Sequence, residues 1–232
     1  MDTYKHMANY PKKTFDHAVV AVDTVLFSIV KGKLSVFLLQ IKDDVFADKW
    51  TLPGGLVTMG ESLEEAVERH LSGKAGVERV YFEQLYTFGK PDRDPGGWVV
   101  SVSYMALTPI VIKDTKILLE RYKSSMWCDV ETLPEMAYDH REIVHTGVER
   151  LRAKVGYTNI IYSLIKPELT LSELQKVYEI VLGKRLDKRN FRKKIFSLEL
   201  VKSLGKTRKG EPNRPAELYE FTSTTPVIVE VL

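Results

Sequence analysis

Gly55, Glu61 and Arg69 are separated by five and seven residues, and Gly76-Val77 follows a short distance on. Glu64, Glu65 and Glu68 lie in the same stretch, so it is rich in carboxylates. Carboxylates presented by one helix can supply the hard oxygen ligands that Mg²⁺ takes, and a metal held there can help to activate water. These three glutamates read instead as a solvated face and a cap, because Ser62 followed by Glu65 is the capping-box arrangement. A second chemistry is written near the other end of the chain. Asn190, Arg192 and Lys193, flanked by Lys188, Arg189 and Lys194, combine side chains that match base edges with cations that suit phosphates. Lys206, Arg208, Lys209 and Arg214 continue that basic character.

The elements that must position these residues follow from apolar periodicity. Ala18 to Ile29 and Leu34 to Ile41 are β-rich runs around Lys31-Gly32-Lys33, which predicts a hairpin. Trp50 to Gly55 reads as a loop. Ser62 opens a helix with Leu63, Ala66, Val67 and Leu71 at helical spacing, and Gly76 stops it. Strands are expected over Val80 to Phe88 and Trp98 to Leu107, joined by a turn-rich loop. A second helix is expected from Asp139 to Val155, with Val144, Val148, Leu151 and Val155 as its apolar stripe. Three more helices then follow, over Thr158–Ile165, from a Thr170 or Ser172 cap to Gly183, and over Lys188–Leu198. Leu200–Lys202 and Leu218–Phe221 read as a closing hairpin around a long basic loop.

The 232 residues carry a net charge of only +3, but unevenly. Residues 1–150 hold 18 basic and 22 acidic side chains, residues 151–232 hold 16 and 9, and 184–214 alone hold 12 and 3. An acidic part followed by a basic part implies two domains with different partners, the basic one suited to nucleic acid. No apolar run approaches the roughly 18 residues of a membrane helix. Met1 to Lys13 is polar, without the apolar core of a signal peptide. The single Cys128 excludes an internal disulfide and a thiolate metal cluster, so a cytoplasmic location and no metal or cofactor are expected.

The spacing of Gly55, Glu61, Arg69 and Gly76-Val77, preceded by Trp50 to Gly54, resembles the Nudix box. In that box the Glu of an Arg-Glu pair and both residues of a later Glu-Glu pair carry the metal. Here the first of those glutamates is replaced by His70 and the pair by Gly73-Lys74. An ammonium at Lys74 would repel the metal, so no catalytic residues are assigned and hydrolysis is not expected. With a winged helix behind it, the chain is similar to Nudix-related transcriptional regulators of the NrtR type. Glu83 to Tyr86, Arg93-Asp94-Pro95 and Gly97 to Val102 resemble their sensor core. Leu171 to Tyr178, Asn190 to Lys194 and Arg214 to Tyr219 resemble their DNA-binding part.

The resemblance implies an α+β chain: an N-terminal Nudix-like α/β/α sandwich with a mixed sheet over 1–156, and a C-terminal winged helix-turn-helix over 157–232. It implies a repressor, homodimeric on a double-stranded DNA operator, whose first domain senses a small metabolite. ADP-ribose, which in that family releases the protein from operators of NAD-metabolism genes, comes first; other branches sense sugars such as arabinose. Lys42, Gly55, Glu61, Gln84, Arg93, Asp94, Trp98 and Ser101 are the effector candidates. The family often carries arginines where this chain has Ile41 and Gly96. Arg is the preferred bidentate partner of phosphate, so their loss weakens the expectation of a diphosphate. Lys42, Lys90 and Arg93 are partial substitutes. Two other classes stay open: a hydrolase of nucleoside diphosphate sugars using Asp92, Asp94 and Glu61, and an RNA-binding or adaptor protein.

Overall fold

The computed structural model describes residues 17–109, 121–208, 215–229 and 231. They divide into two compact units, one holding 17–27, 35–106 and 121–147, the other 28–34, 107–109 and the described residues from 148 onward.

The first unit is built on a sheet. Among the described residues its strands are β1 (Val19–Val30), β2 (Lys33–Ile41), β3 (Trp50–Thr51), β4 (Gly54–Leu56), β5 (Tyr81–Phe88), β6 (Val99–Leu107) and β7 (Tyr122–Asp129). The main order is β3-β2-β1-β6-β5, with β4 antiparallel to β1 and β7 antiparallel to β2. Eight consecutive residues of β1 are buried. A strand shows such unbroken burial when both faces of its sheet are covered. On one face, α1 (Leu63–Ala75) packs Ala66, Val67, Leu71 and Ala75 against Val22, Leu26, Phe37 and Leu39. On the other lies the first half of α2 (His140–Tyr157), so close that a Cβ on Gly147 would come within 3.3 Å of the Phe27 ring. The α/β/α sandwich expected from the sequence is present.

The expected capping box at α1 is complete: the Glu65 N–H donates to Ser62 Oγ (3.2 Å) and the Ser62 N–H to Glu65 Oε2 (2.7 Å). Gly76 ends the helix in the left-handed conformation. Trp50 to Gly55 differs from the expected loop. Its residues form the short strands β3 and β4, because Thr51 and Trp50 pair with Leu39 and Gln40 while Gly54 to Leu56 pair with β1. Strand β7 was not expected at all. Its Ser, Met and Trp residues are only half-buried along one sheet edge, which leaves little alternation to read.

In the second unit a 3-10 helix, Ile160–Leu164, stands where an α-helix was expected. Thr170 caps α3 (Leu171–Leu182), with Leu174, Val177, Tyr178 and Val181 buried and Gly183 as its left-handed stop. Asp187 caps α4 (Lys188–Ser197), which buries Phe191 and Ile195. Tyr178 and Phe191 meet edge-to-face, ring centroids 5.3 Å apart. Strands β8 (Val201–Arg208) and β9 (Ala216–Phe221) pair antiparallel, and Leu169 adds a bridge to Tyr219. Three helical segments and a two-stranded wing make this a winged helix. Strand β8 runs further than expected, so Lys206 and Arg208 sit on a strand rather than in a loop.

After β9 the chain returns to the end of α2. The buried Asn159 side chain donates to Ser223 O (3.3 Å) and Thr225 O (3.0 Å) and accepts from the Val227 N–H (2.8 Å). The Val229 and Val231 N–H groups then donate to Tyr157 O and Gly156 O, both at 2.9 Å. One side chain thus bonds three backbone groups of the returning segment. Each such bond is worth about 1 kcal/mol net, and orphaning its partner costs more. Asn159→Ala is therefore expected to lose ~2–4 kcal/mol of stability in urea unfolding, and an unchanged midpoint would contradict this role.

Candidate functional site

In the first unit, a cleft of about 50 Å³ is lined by residues of β1, the β3–β4 segment, the loop before β6, β7 and the start of α2. Asp23 stands at its base in the middle of β1, buried. Its Oδ2 accepts from Ser101 Oγ (2.7 Å) and from Arg93 Nη2 (3.3 Å), and its Oδ1 lies 3.4 Å from His140 Nε2. Arg93 is engaged further: Nε donates to Asp139 Oδ2 (2.8 Å) and Nη2 to Asp139 Oδ1 (2.6 Å). The Leu52 N–H donates to His140 Nδ1 (3.0 Å), which makes that nitrogen an acceptor and leaves the ring proton on Nε2, facing Asp23. Burial pushes the Asp23 carboxyl up, but His140, Arg93 and Ser101 more than reverse this and hold it well below the usual carboxylate range. The Arg93 guanidinium, disfavoured by burial, is pushed up on balance by Asp139 and Asp23.

The wall of the cleft depends on two glycines. A Cβ on Gly54 would meet Asp23 Oδ1 at 2.3 Å, and one on Gly55 would meet His70 Cε1 at 2.9 Å. At the rim, Arg121 Nη2 donates to Tyr138 OH (3.2 Å) and Asp44 Oδ2 (3.3 Å). Burial pushes the Tyr122 and Tyr138 hydroxyls up to about 12.

Of the effector candidates, Gly55, Arg93 and Asp94 line this cleft, and Ser101 lies behind it through Asp23. Glu61 is committed elsewhere: it accepts from Arg69 Nε (2.9 Å) and the Thr58 N–H (2.6 Å), and Arg69 holds its carboxyl down to about 2. Lys42 and Gln84 are exposed outside the cleft lining, and Trp98 is half-exposed just before β6. Asp23, Thr51, Arg121, Tyr122, Tyr138, Asp139 and His140 were missed by the sequence reading. Asp23 left a signal, since an acid inside an apolar strand must find a partner. The others lie on elements with no such mark.

In the second unit, Lys188, Arg189, Asn190 and Lys193 are exposed at the start of α4. Arg192 is half-buried, with its Nε enclosed and without a hydrogen-bond partner, and Lys194 is also half-buried. In the wing, Arg208 Nη1 donates to Glu173 Oε1 (2.6 Å), while Lys206 lies 3.9 Å from Glu168. Lys209 and Arg214 lie outside the described residues.

Residues 18–146 match the NUDIX domain model and residues 161–221 the NrtR DNA-binding winged helix domain. The chain is 34% identical over 219 residues, 93% of its length, to the ADPR responsive transcriptional repressor NtrR of Acinetobacter baylyi, covering 86% of that protein. The chain belongs to the NrtR-type family of Nudix-related transcriptional regulators. Shewanella oneidensis NrtR complexed with a 27mer DNA superposes with a TM-score of 0.75 at 34% identity, covering 88% of this chain and 93% of that one. The NUDIX domain of the same protein, complexed with ADP ribose, matches at 35% identity and a TM-score of 0.53, over 65% and 99% of the two chains. An ADP-ribose pyrophosphatase of Methanocaldococcus jannaschii is 32% identical over 128 residues, 55% of this chain and 72% of that one. No described helix of this NrtR-type chain is long and apolar enough to cross a membrane.

Asp23 gives the cleft a pH signature. Its folded value is depressed from 3.8, so its contribution is fully present above about pH 4 and is lost as pH falls through the lower folded value. Glu61, held at about 2, acts in the same direction. Urea stability should fall on acidification below about pH 5. Asp23→Asn should cost ~3 kcal/mol at neutral pH by leaving Arg93 undercompensated, and should flatten that fall. A variant with the wild-type slope would show that Asp23 is not the group responsible.

Proposed function

We propose that this chain is a cytoplasmic, homodimeric repressor whose winged helix holds an operator and whose Nudix-like domain senses ADP-ribose or a related nucleotide. The observation that carries it is the pairing of a winged helix, whose reading helix presents exposed basic and amide side chains, with a polar cleft at the start of α2. The described relatives support it through their DNA and ADP-ribose complexes. Residues 1–156 are taken as the sensing domain and 157–232 as the DNA-binding domain.

The Nudix-like domain is read as binding its ligand without hydrolysing it. Supporting this, the box positions of the metal-bearing glutamates hold His70, Gly73 and Lys74. The buried Lys74 ammonium donates to Gly54 O and to Tyr122 OH (3.2 Å), a donor set that does not fit a divalent cation. The pyrophosphatase relative keeps the hydrolase reading testable. Incubation with ADP-ribose and Mg²⁺ or Mn²⁺ should release no nucleoside monophosphate, and turnover abolished by Glu61→Gln would reverse the assignment.

The switch follows from where the cleft meets α2. A ligand phosphate that drew Arg93 away from Asp139 would loosen the residue just before that helix, and α2 continues to Tyr157. A change in α2 would alter the spacing of two winged helices on a palindromic operator. At a hundredfold excess over its Kd, ADP-ribose should add about 2.7 kcal/mol of native-state stability in a thermal shift. It should also lower operator affinity. Free pentoses shifting the melting temperature in its place would select the sugar-sensing branch.

For DNA reading, Asn190 and Lys193 are assigned to base edges and Lys188 and Arg189 to phosphates, with Arg192, Lys194, Lys206, Arg208, Lys209 and Arg214 in support. Asn190→Ala should cost about 1–3 kcal/mol on the operator and relax sequence preference. Lys188→Ala should weaken binding to all sequences and reduce the salt slope by about one. Equal, sequence-blind losses in both variants would refute the division of roles.

A further inference from the structure

We infer that Lys74 is a built-in cation occupying the place of a divalent metal beside the cleft, so that this regulator meets the diphosphate of its ligand without one. The second half rests on the effector reading above; the first half does not. Lys74 lies in the last turn of α1 and is only 3% exposed. Its Nζ donates to Gly54 O and to Tyr122 OH, and lies 5.3 Å from the Tyr122 ring centroid. A carbonyl oxygen and a phenol oxygen thus hold the ammonium much as oxygen ligands hold a metal ion. Both residues line the cleft, as does Gly55.

The neighbouring groups complete the case. His70, 2% exposed, presents an Nε2 with no hydrogen-bond partner. Gly55 passes so close that its Cβ would sit 3.0 Å from that nitrogen and 3.7 Å from Lys74 Nζ. The two nitrogens therefore share one small volume behind the Gly54–Gly55 backbone. Burial, and then the Lys74 charge, push the His70 imidazole down to about 3, so it adds no second positive charge there. The remaining box position, Gly73, has no side-chain ligand atom. Among the described residues no group of three or more His, Cys, Asp or Glu side chains could hold a metal. The C-terminal end of a helix favours a cation in its last turn. A divalent ion placed at Gly54 O would face the ammonium at contact distance, and like charges so close in a buried site exclude one another.

The test has one arm that needs no effector. Mn²⁺ is titrated into the full chain and followed by electron paramagnetic resonance, for the wild type and for Lys74→Glu. The wild type should bind Mn²⁺ no more tightly than millimolar, and Lys74→Glu should bind it at least about tenfold more tightly. Micromolar binding by the wild type overturns the inference, as does a folded Lys74→Glu that gains nothing. If Lys74→Glu does not fold, the wild-type titration still decides. The second arm is calorimetry of wild type with ADP-ribose, in EDTA and in millimolar Mg²⁺. Equal affinities are expected, and an affinity raised tenfold or more by Mg²⁺ would overturn metal independence. Absence of ADP-ribose binding in both buffers would sink the effector assignment and leave the Mn²⁺ titration to judge Lys74.

Discussion

A single carboxylate buried in a β-strand organises the sensor unit. Asp23 lies where a strand covered on both faces offers no water, and an ionised group there is tolerated only when paired and hydrogen-bonded. Its partners come from separate parts of the chain: Arg93 from the loop before β6, Ser101 from β6 itself and His140 from the start of α2. His140 in turn receives the Leu52 N–H, and Arg93 clamps Asp139 with two bonds. The position of α2 on the sheet and the shape of the cleft are therefore set by one network. A ligand that took Arg93 Nε or Nη2 would have to change what holds Asp139.

The same unit carries a second, separate use of charge. The box residues that survive, Glu61 and Arg69, now form an ion pair that closes the loop before α1, with Arg69 also donating to Leu56 O (3.2 Å). The residue that departs most, Lys74, ties the far end of that helix to Gly54 O. Loop and helix are fastened at both ends by cations donating to oxygens.

Much of this was legible before any coordinates. The hairpin, the capping box of Ser62 and Glu65, and the apolar stripes of α2, α3 and α4 are carried by local periodicity, which survives in a single sequence. Strand β7 was not, because a half-buried edge strand such as Tyr122–Asp129 mixes polar and apolar residues without clear alternation. The cleft was half legible. Arg93, Asp94 and Gly55 stood out by type and spacing, whereas Asp139 and His140 join them only through the tertiary path of α2, which no local pattern encodes. At Arg192 type alone suggests a base edge, while packing, which no local pattern encodes, encloses its Nε.

The wing carries a consequence for how this protein counts phosphates. Arg208 is held by Glu173, in the first turn of α3, and by Glu168 O just before that helix, and Lys206 lies near the Glu168 carboxylate. If they are to reach a DNA phosphate, each of these cations would have to exchange a carboxylate for it, and the freed glutamate would then stand close to the backbone. Such an exchange neutralises less net charge than a solvated lysine would, so fewer counterions leave the duplex per basic residue. The 12 basic side chains of 184–214 thus overstate the electrostatic pull of the domain. A winged helix built this way would grip nonspecific DNA loosely, and would leave more of the discrimination between sites to the side chains at the start of α4.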